Sequence, residues 1–377
     1  MNNLNALLGR KIRDARKRLR LTQKDLANKF NAPHQTISQI EIGERDLKAW
    51  ELAKMAEILH LNISYLLSPY ENEEPPVILW RKTPQKDLEV KEADFLKRCQ
   101  QYSDLEHILG EENSQHFPIK IVNTDELNFI DIEQIALDIS NELNLGSRPA
   151  LSLEKTLEER YFVKVWYEDL ETDGSAASTI GSFGPAILMN SKEAPWRRNY
   201  NFAHEVFHLL TWESIPAKSL KEDEIFFNKT EKFANAFASY LLLPEDQLRV
   251  SFEKRIKDNR VYMTDFIEVA REFGVSTEAM LYRLLRLRII NEETLNKLRQ
   301  SKLFKEKDKA TMVDYWSEPA PMPERFVRLA YTAFQKGKLS RMKLAELLGE
   351  SLIDLDSFLE RYDLNSRENY EVEVCIT

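Results

Sequence analysis

Through residues 8–67 apolar side chains recur every three or four positions, in short runs divided by polar breaks. This predicts several short helices. Leu8, Ile12, Ala15 and Leu19 form one stripe, and Leu26, Ala27 and Phe30 form a second behind Thr22, which is placed to cap it. After the break at Asn31-Ala32-Pro33, Ile37 and Ile40 mark a short helix that Gly43 ends, and Leu52, Met55, Ala56, Leu59, Leu66 and Leu67 close a bundle. The period then lapses. SPYENEEPPVILWRKTPQK has paired prolines and acids and reads as a linker. Over residues 86–115, Leu88, Phe95, Leu96, Tyr102, Leu105 and Ile108 make a loose stripe on a charged helix, a spacer or a dimer contact. NFIDIEQIALDISNELNL is an amphipathic helix ending near Gly146, whereas RYFVKVWYE and the stretch ending GPAILMN alternate as strands do.

Farther on, Phe233, Ala234, Phe237, Ala238, Leu241 and Leu242 predict a buried helix over residues 228–244. DFIEVAREFGVSTEAMLYRLLRLRII reads as a helix pair used for packing or partner contact, NKLRQSKLFKEKDKA as a solvated connector, and residues 323–362 as two or three helices with Ser340 as an N-cap. The expected class is mainly α with a small β-sheet (α+β). A chain of 377 residues exceeds one ordinary domain. The expected division is a helical bundle at 1–68, a linker and spacer at 69–122, a central domain at 123–300 and a C-terminal helical domain at 301–377.

Charge changes the picture at the N-terminus. Residues 1–68 carry 12 Lys/Arg against 7 Asp/Glu, a net +5, which leaves −14 for the rest of a chain of net charge −9. A basic head on an acidic body suits a polyanion at the head. Two short helices joined by a tight turn can place the second in a major groove of duplex DNA. That use needs small polar side chains facing outward, and His34, Gln35, Thr36, Ser38 and Gln39 supply them. Glutamine suits bidentate contact with adenine. Gln23, at the start of the preceding helix, is placed to hold a phosphate. The two cysteines, Cys99 and Cys375, build neither a disulfide framework nor a cysteine zinc site, and no leader or membrane-length apolar run is present. A cytoplasmic protein without a membrane partner is expected.

NFAHEVFHLL carries the chemistry. His204 and His208 lie one helical turn apart on one face and can share a zinc ion, with Glu205 beside them as general base for a water. Catalytic zinc takes a third protein ligand. Glu231 is a carboxylate on a mostly apolar helix, costly unless paired or metal-bound, and is assigned as that ligand. Asn235, one turn on, can hydrogen-bond a ligand histidine and fix its tautomer.

The order LTQKDLA, turn, TISQIEIG resembles the phage-repressor (XRE, Cro/C1) helix-turn-helix over about the first 68 residues, departing at Pro33, where a Ser or Thr often caps the second helix. NFAHEVFHLL followed by EKFANAFASYLLLP is similar to the ImmA/IrrE zinc peptidases over about residues 125–300. Phe207 stands where glycine is common and Phe233 where a second glutamate is often found; Phe207 is expected to narrow the approach to the metal. The second resemblance implies a zincin-like peptidase with ligands His204, His208 and Glu231. That family often cleaves a helix-turn-helix repressor and is met fused to such a domain. Together these imply a dimeric, operator-binding transcriptional regulator with a zinc-dependent endopeptidase domain acting on a repressor or other regulatory protein. Two alternatives are a regulator whose peptidase-like domain binds a ligand or partner without turnover, and a toxin–antitoxin or mobile-element control protein.

Overall fold

A computed structural model describes residues 2–67, 76–111, 116–256 and 260–364. The head is five helices, α1 (Asn2–Arg18), α2 (Gln23–Phe30), α3 (His34–Glu41), α4 (Ala49–Ile58) and α5 (Ile63–Leu67). Thr22 caps α2 reciprocally with Asp25, and Asn31 ends that helix in the left-handed region at φ 60°. Pro33 stands at the N-cap of α3 without a side-chain hydrogen bond, the departure visible in sequence. Ile12, Ile37 and Ile40 are buried at the centre, each contributing roughly 1.5–3 kcal/mol by leaving water. Leu67, expected inside, is exposed: it falls on the outer side of the last short helix. Gly9 allows α1 and α3 to touch, since a Cβ there would meet the Ile40 carbonyl oxygen at 2.4 Å.

The body runs β1 (Leu79–Trp80), α6 (Leu88–Leu109), α7 (Phe129–Glu142), α8 (Leu153–Tyr161), β2 (Lys164–Glu168), β3 (Ala176–Gly181), β4 (Gly184–Asn190), α9 (Pro195–Leu210), α10 (Ala217–Glu222) and α11 (Glu224–Leu242). Then follow α12 (Glu245–Glu253), α13 (Met263–Glu272), α14 (Thr277–Arg286), α15 (Glu292–Gln300), α16 (Lys302–Asp314), α17 (Glu324–Gln335), α18 (Arg341–Leu348) and α19 (Leu355–Glu360). The class is mainly α with a small sheet, as the pattern implies. The sheet has order β1-β3-β4-β2, with β2 parallel to β4 and β3 antiparallel to both β1 and β4. Among the described residues no helix is long and apolar enough to cross a membrane.

Alternation along the strands sends side chains into two cores. Leu79, Val165, Ala176, Ile187 and Met189 face α7, α9 and α11. Ile78, Trp80, Trp166, Ala177 and Leu188 face α6 and α17–α19. The second core corrects the expected division at 122 and 300. Phe95, Tyr102 and Leu105 of α6 are buried against Phe326, Val327 and Ala330 of α17, with the Tyr102 and Phe326 ring centroids 5.2 Å apart. Helix α6 is thus a structural layer and not a spacer, although Ile108 at its end stays exposed. Part of the linker stretch is likewise structural, because β1 pairs with β3 at Leu79–Ser178 and Trp80–Ala177. The expected connector folds as the end of α15 and most of α16, with Leu298 and Phe304 buried and Asp308 accepting from Arg271 at 2.6 Å. Helices α13 and α14 pack into the first core, and Ser340 caps α18 by accepting from the Lys343 amide. Cys375 and the rest of residues 365–377 lie outside the described residues.

Candidate metal centre and nucleic-acid interface

Helix α9 opens with Pro195 at its first turn and is buried on all sides from Asn201 to Leu210, between the sheet and α11. His204 and His208, one turn apart, face α11. Glu205 is rotated toward the sheet, where Ser178, on the same strand face as Ala176, donates its hydroxyl to Glu205 Oε2 at 2.7 Å. Helix α11 is capped by Asp223, which accepts from the Ile225 and Phe226 amides, and it carries Glu231 and Asn235 toward α9.

The three ligand-type residues converge. His204 Nε2 and His208 Nε2 are 3.2 Å apart, His208 Nε2 is 3.1 Å from Glu231 Oε1, and His204 Nε2 is 3.3 Å from Glu231 Oε2. A tetrahedral ion held at roughly 2.0–2.1 Å by nitrogen and carboxylate oxygen sets its ligand atoms about 3.3 Å apart, so the spacing fits such an ion. Among the described residues these three form the group whose ligand atoms lie close enough together to hold a metal ion.

The tautomer of His204 follows from its neighbours. Arg81 Nη2 donates to Asn235 Oδ1 at 3.0 Å, which fixes that atom as the amide oxygen, and Asn235 Nδ2 donates to the Glu231 carbonyl at 2.8 Å. His204 Nδ1, 3.2 Å from the same oxygen, must then be the donor. Its Nε2 is left as a bare lone pair facing an imidazole and a carboxylate. Burial also disfavours the cationic ring, pushing its pKa down to about 3. A proton on His208 Nε2 or a cation among the three atoms would answer that lone pair.

Burial raises the Glu231 carboxyl, an imidazole N–H donating to it pulls it down, and with His204 Nε2 unprotonated His208 is the ring that can donate. Burial pushes Glu205 up to about 7, against the pull of His208, the Ser178 hydrogen bond and Arg81. Its Oε1 and the Nδ1 of His208 are buried without a partner. His204 and Glu205 are completely enclosed, and the Glu231 side chain, 19% exposed, is the most open member of the group.

In the head, α3 presents His34, Gln35 and Gln39 fully exposed and Thr36 and Ser38 half-buried, with Ile37 and Ile40 underneath. Gln23 departs from expectation: its amide donates to Glu41 Oε2 at 2.8 Å, inside a buried ion pair that Glu41 makes with Arg16 at 2.5 Å. It ties α2 to α3 in the free protein and offers a phosphate at most its second N–H.

Residues 12–66 match the helix-turn-helix family, and residues 158–285 match the peptidase M78 family, described as IrrE N-terminal-like domain. The chain joins a helix-turn-helix domain to an IrrE-like domain. No curated protein matches it. Among solved structures, a Mycobacterium tuberculosis transcriptional regulator is 16% identical with a TM-score of 0.32, over 49% of this chain and 51% of that one. Bacillus thuringiensis PlcR in complex with the peptide PapR7 and DNA is 15% identical with a TM-score of 0.17, over 82% and 97%. The chain spans about half the length of the mycobacterial regulator, and superpositions this loose carry no argument.

Within the IrrE-like domain, Phe207 does not narrow an approach to the centre. It is fully buried, its ring 5.6 Å from that of Phe237, and belongs to the core behind His208. Three residues absent from the sequence reading also belong to the site. Ser178 holds the Glu205 carboxylate. Tyr200, one turn before His204, donates to the Asn235 carbonyl at 2.7 Å. Arg81, from the stretch read as linker, holds Asn235 and lies over the Tyr200 ring at 5.8 Å. It precedes the family-matched span, so no motif points to it. A usable signal was the apolar run Val77-Ile78-Leu79-Trp80 ahead of it, which has the composition of a short buried strand.

Proposed function

We propose that this chain is a DNA-binding regulator whose body is a zinc-dependent endopeptidase, acting on a regulatory protein such as a helix-turn-helix repressor. The observation that carries the reading is the spacing of His204, His208 and Glu231, 3.1–3.3 Å between ligand atoms, beside a buried carboxylate with one oxygen unused. Zinc bound there supplies Lewis acidity, which makes a water more acidic and polarises a peptide carbonyl.

The chain's own groups do the rest. Asn235, fixed by Arg81, keeps the proton of His204 on Nδ1. Ser178 anchors one oxygen of Glu205 and leaves Oε1 to take the proton of the attacking water and deliver it to the departing amine. Burial supports proton transfer near neutral pH by raising the carboxyl toward that range. At the head, Gln35 and Gln39 read base edges from the major groove, His34, Thr36 and Ser38 assist, and binding is as a dimer on two half-sites.

A non-cleaving reading is favoured by the closure of the site, since a peptide must displace something to reach Glu205. Metal content and cleavage decide between the two. Protein purified without added metal is expected to hold about one zinc per chain, with little in His204→Ala. Glu205→Gln is expected to keep the metal and lose cleavage of candidate repressors by roughly a hundred-fold or more. Cleavage that persists in Glu205→Gln refutes the role given to this carboxylate, and zinc-loaded wild type inert toward every partner favours the binding-only reading.

A further inference from the structure

Beyond residue 68 the chain carries a net −14, yet four arginines meet at one place on it. Arg249 of α12, Arg283 and Arg286 of α14, and Arg288 just past that helix line a concave pocket of about 360 Å³ together with Tyr240, Leu287 and two carboxylates, Glu133 and Glu245. Two of the four are answered by carboxylates. Arg283 is buried, donating to Glu133 at 2.8 Å and to the Leu243 carbonyl at 3.2 Å. Arg249 pairs with Glu245 at 2.7 Å and reaches the Leu287 carbonyl.

The other two are exposed, and no carboxylate among the described residues pairs with them. Arg286 is nonetheless held in place. It donates to Tyr240 Oη at 2.8 Å, and its guanidinium lies over the rings of Phe129 and Tyr240, 5.4 and 5.5 Å from their centroids. A planar fork stacked on its face and tied at one edge is preorganised at the other, the form in which arginine recognises a carboxylate bidentately. Cations at the end of α14 also complement the partial negative charge there. That explains how they tolerate one another, but not why they surround a cavity.

The pocket lies along the same helix as the candidate metal ligand Glu231. Tyr240 is on α11, five residues beyond Asn235. Phe129, under Arg286, meets Phe233 edge-on at 5.2 Å, two residues past Glu231. The charges of Arg81 and Arg286 both act on Tyr200, which touches Asn235.

We propose that this pocket docks a carboxylate of the substrate, so that the polypeptide taken by the metal centre carries an acidic segment lying on Arg286 and Arg288. The inference rests on the reading of the centre as a peptide site and names the class of peptide. An acidic chain meets net repulsion from an acidic body, and a concave cluster with two uncompensated arginines offsets it locally.

The test uses full-length, metal-loaded Glu205→Gln protein, so that a bound peptide survives. Fluorescence anisotropy compares a labelled glutamate-rich peptide with its glutamine counterpart. The glutamate peptide is expected to bind more tightly, with an advantage that shrinks as salt is added. Adding Arg286→Gln and Arg288→Gln is expected to weaken it roughly ten-fold or more, leaving the glutamine peptide unchanged. An unshifted melting temperature in that variant shows that the fold is intact.

Equal affinity for the two peptides overturns the proposal, and so does a glutamate advantage that survives both substitutions. Inorganic phosphate or duplex DNA lost from the double variant but not displaced by the glutamate peptide also overturns it, giving the pocket to a phosphate ligand. Failure here is separable from failure of the peptidase reading. Glutamate-dependent docking without any cleavage by wild type sinks the latter alone, and Glu205-dependent cleavage of neutral substrates with no glutamate preference sinks the former alone.

Discussion

Helix α3 of the head and helix α9 of the body are both amphipathic segments with polar side chains at chosen positions, yet they keep those side chains in opposite states. On α3, Gln35 and Gln39 stand in water above a core closed by Ile37 and Ile40. The head's Arg16–Glu41 pair is satisfied within the protein, Gln23 included, although Nη1 of Arg45, the partner of buried Glu51, has none. On α9, His204, Glu205 and His208 are enclosed, and two buried polar atoms have no partner. An exposed amide keeps its hydration, so the head folds without a target. Buried polar atoms without partners are unfavourable until something joins them, so a cation taken up by His204, His208 and Glu231 is expected to stabilise the body. The position of the polar groups, more than their number, decides which ligand becomes part of the fold.

The comparison breaks most readily at the head's ion pair. Glu41→Ala strands Arg16 in the core and is expected to cost about 3–5 kcal/mol. Calorimetry should show the head's transition falling while the body's transition and zinc content stay put; loss of zinc as well would mean the two regions are not independent. A smaller effect is expected from Arg81→Ala. The Asn235 amide loses the donor that fixes it, and zinc affinity, measured by competition with a chelating dye, should fall roughly 10- to 100-fold. The His204 Nδ1 proton resonance should also shift, and Arg81→Lys should recover part of the affinity. Smallest in stability is Gln35→Ala with Gln39→Ala. Base discrimination in salt-controlled shift assays should weaken by about 1–3 kcal/mol per lost contact, with folding changed by less than about 0.5 kcal/mol. Unchanged sequence preference would take these glutamines out of the reading role.

What could be read in advance follows the range of the interactions involved. The head's stripes and caps are local, and Thr22 with Asp25 is spelled out within four residues. The metal cluster was legible because two helical repeats of four each put their polar residues on one face; only the meeting of α9 with α11 had to be supplied by the fold. Arg81 was not legible. It follows a strand of two residues and reaches Asn235, 154 positions away, so no local period marks it. The layer formed by α6 with α17–α19 has the same cause, because each amphipathic face is visible and its partner is not. Phe207 misled because α9 is buried all round, so helix position alone does not separate core from approach. The hydrogen bond of Gln23 to Glu41 was not legible, because Glu41 lies on the next helix.

Strand β1 also bears on how such a chain can be inherited. Head and body each have a core of their own, so exchange of one head for another would leave both folds standing. Yet a recombination junction placed by composition, after the proline-rich stretch, would carry off the edge strand and the arginine behind Asn235. The exchangeable unit ends before Val77, and a junction that keeps Arg81 on Asn235 must lie upstream of that residue.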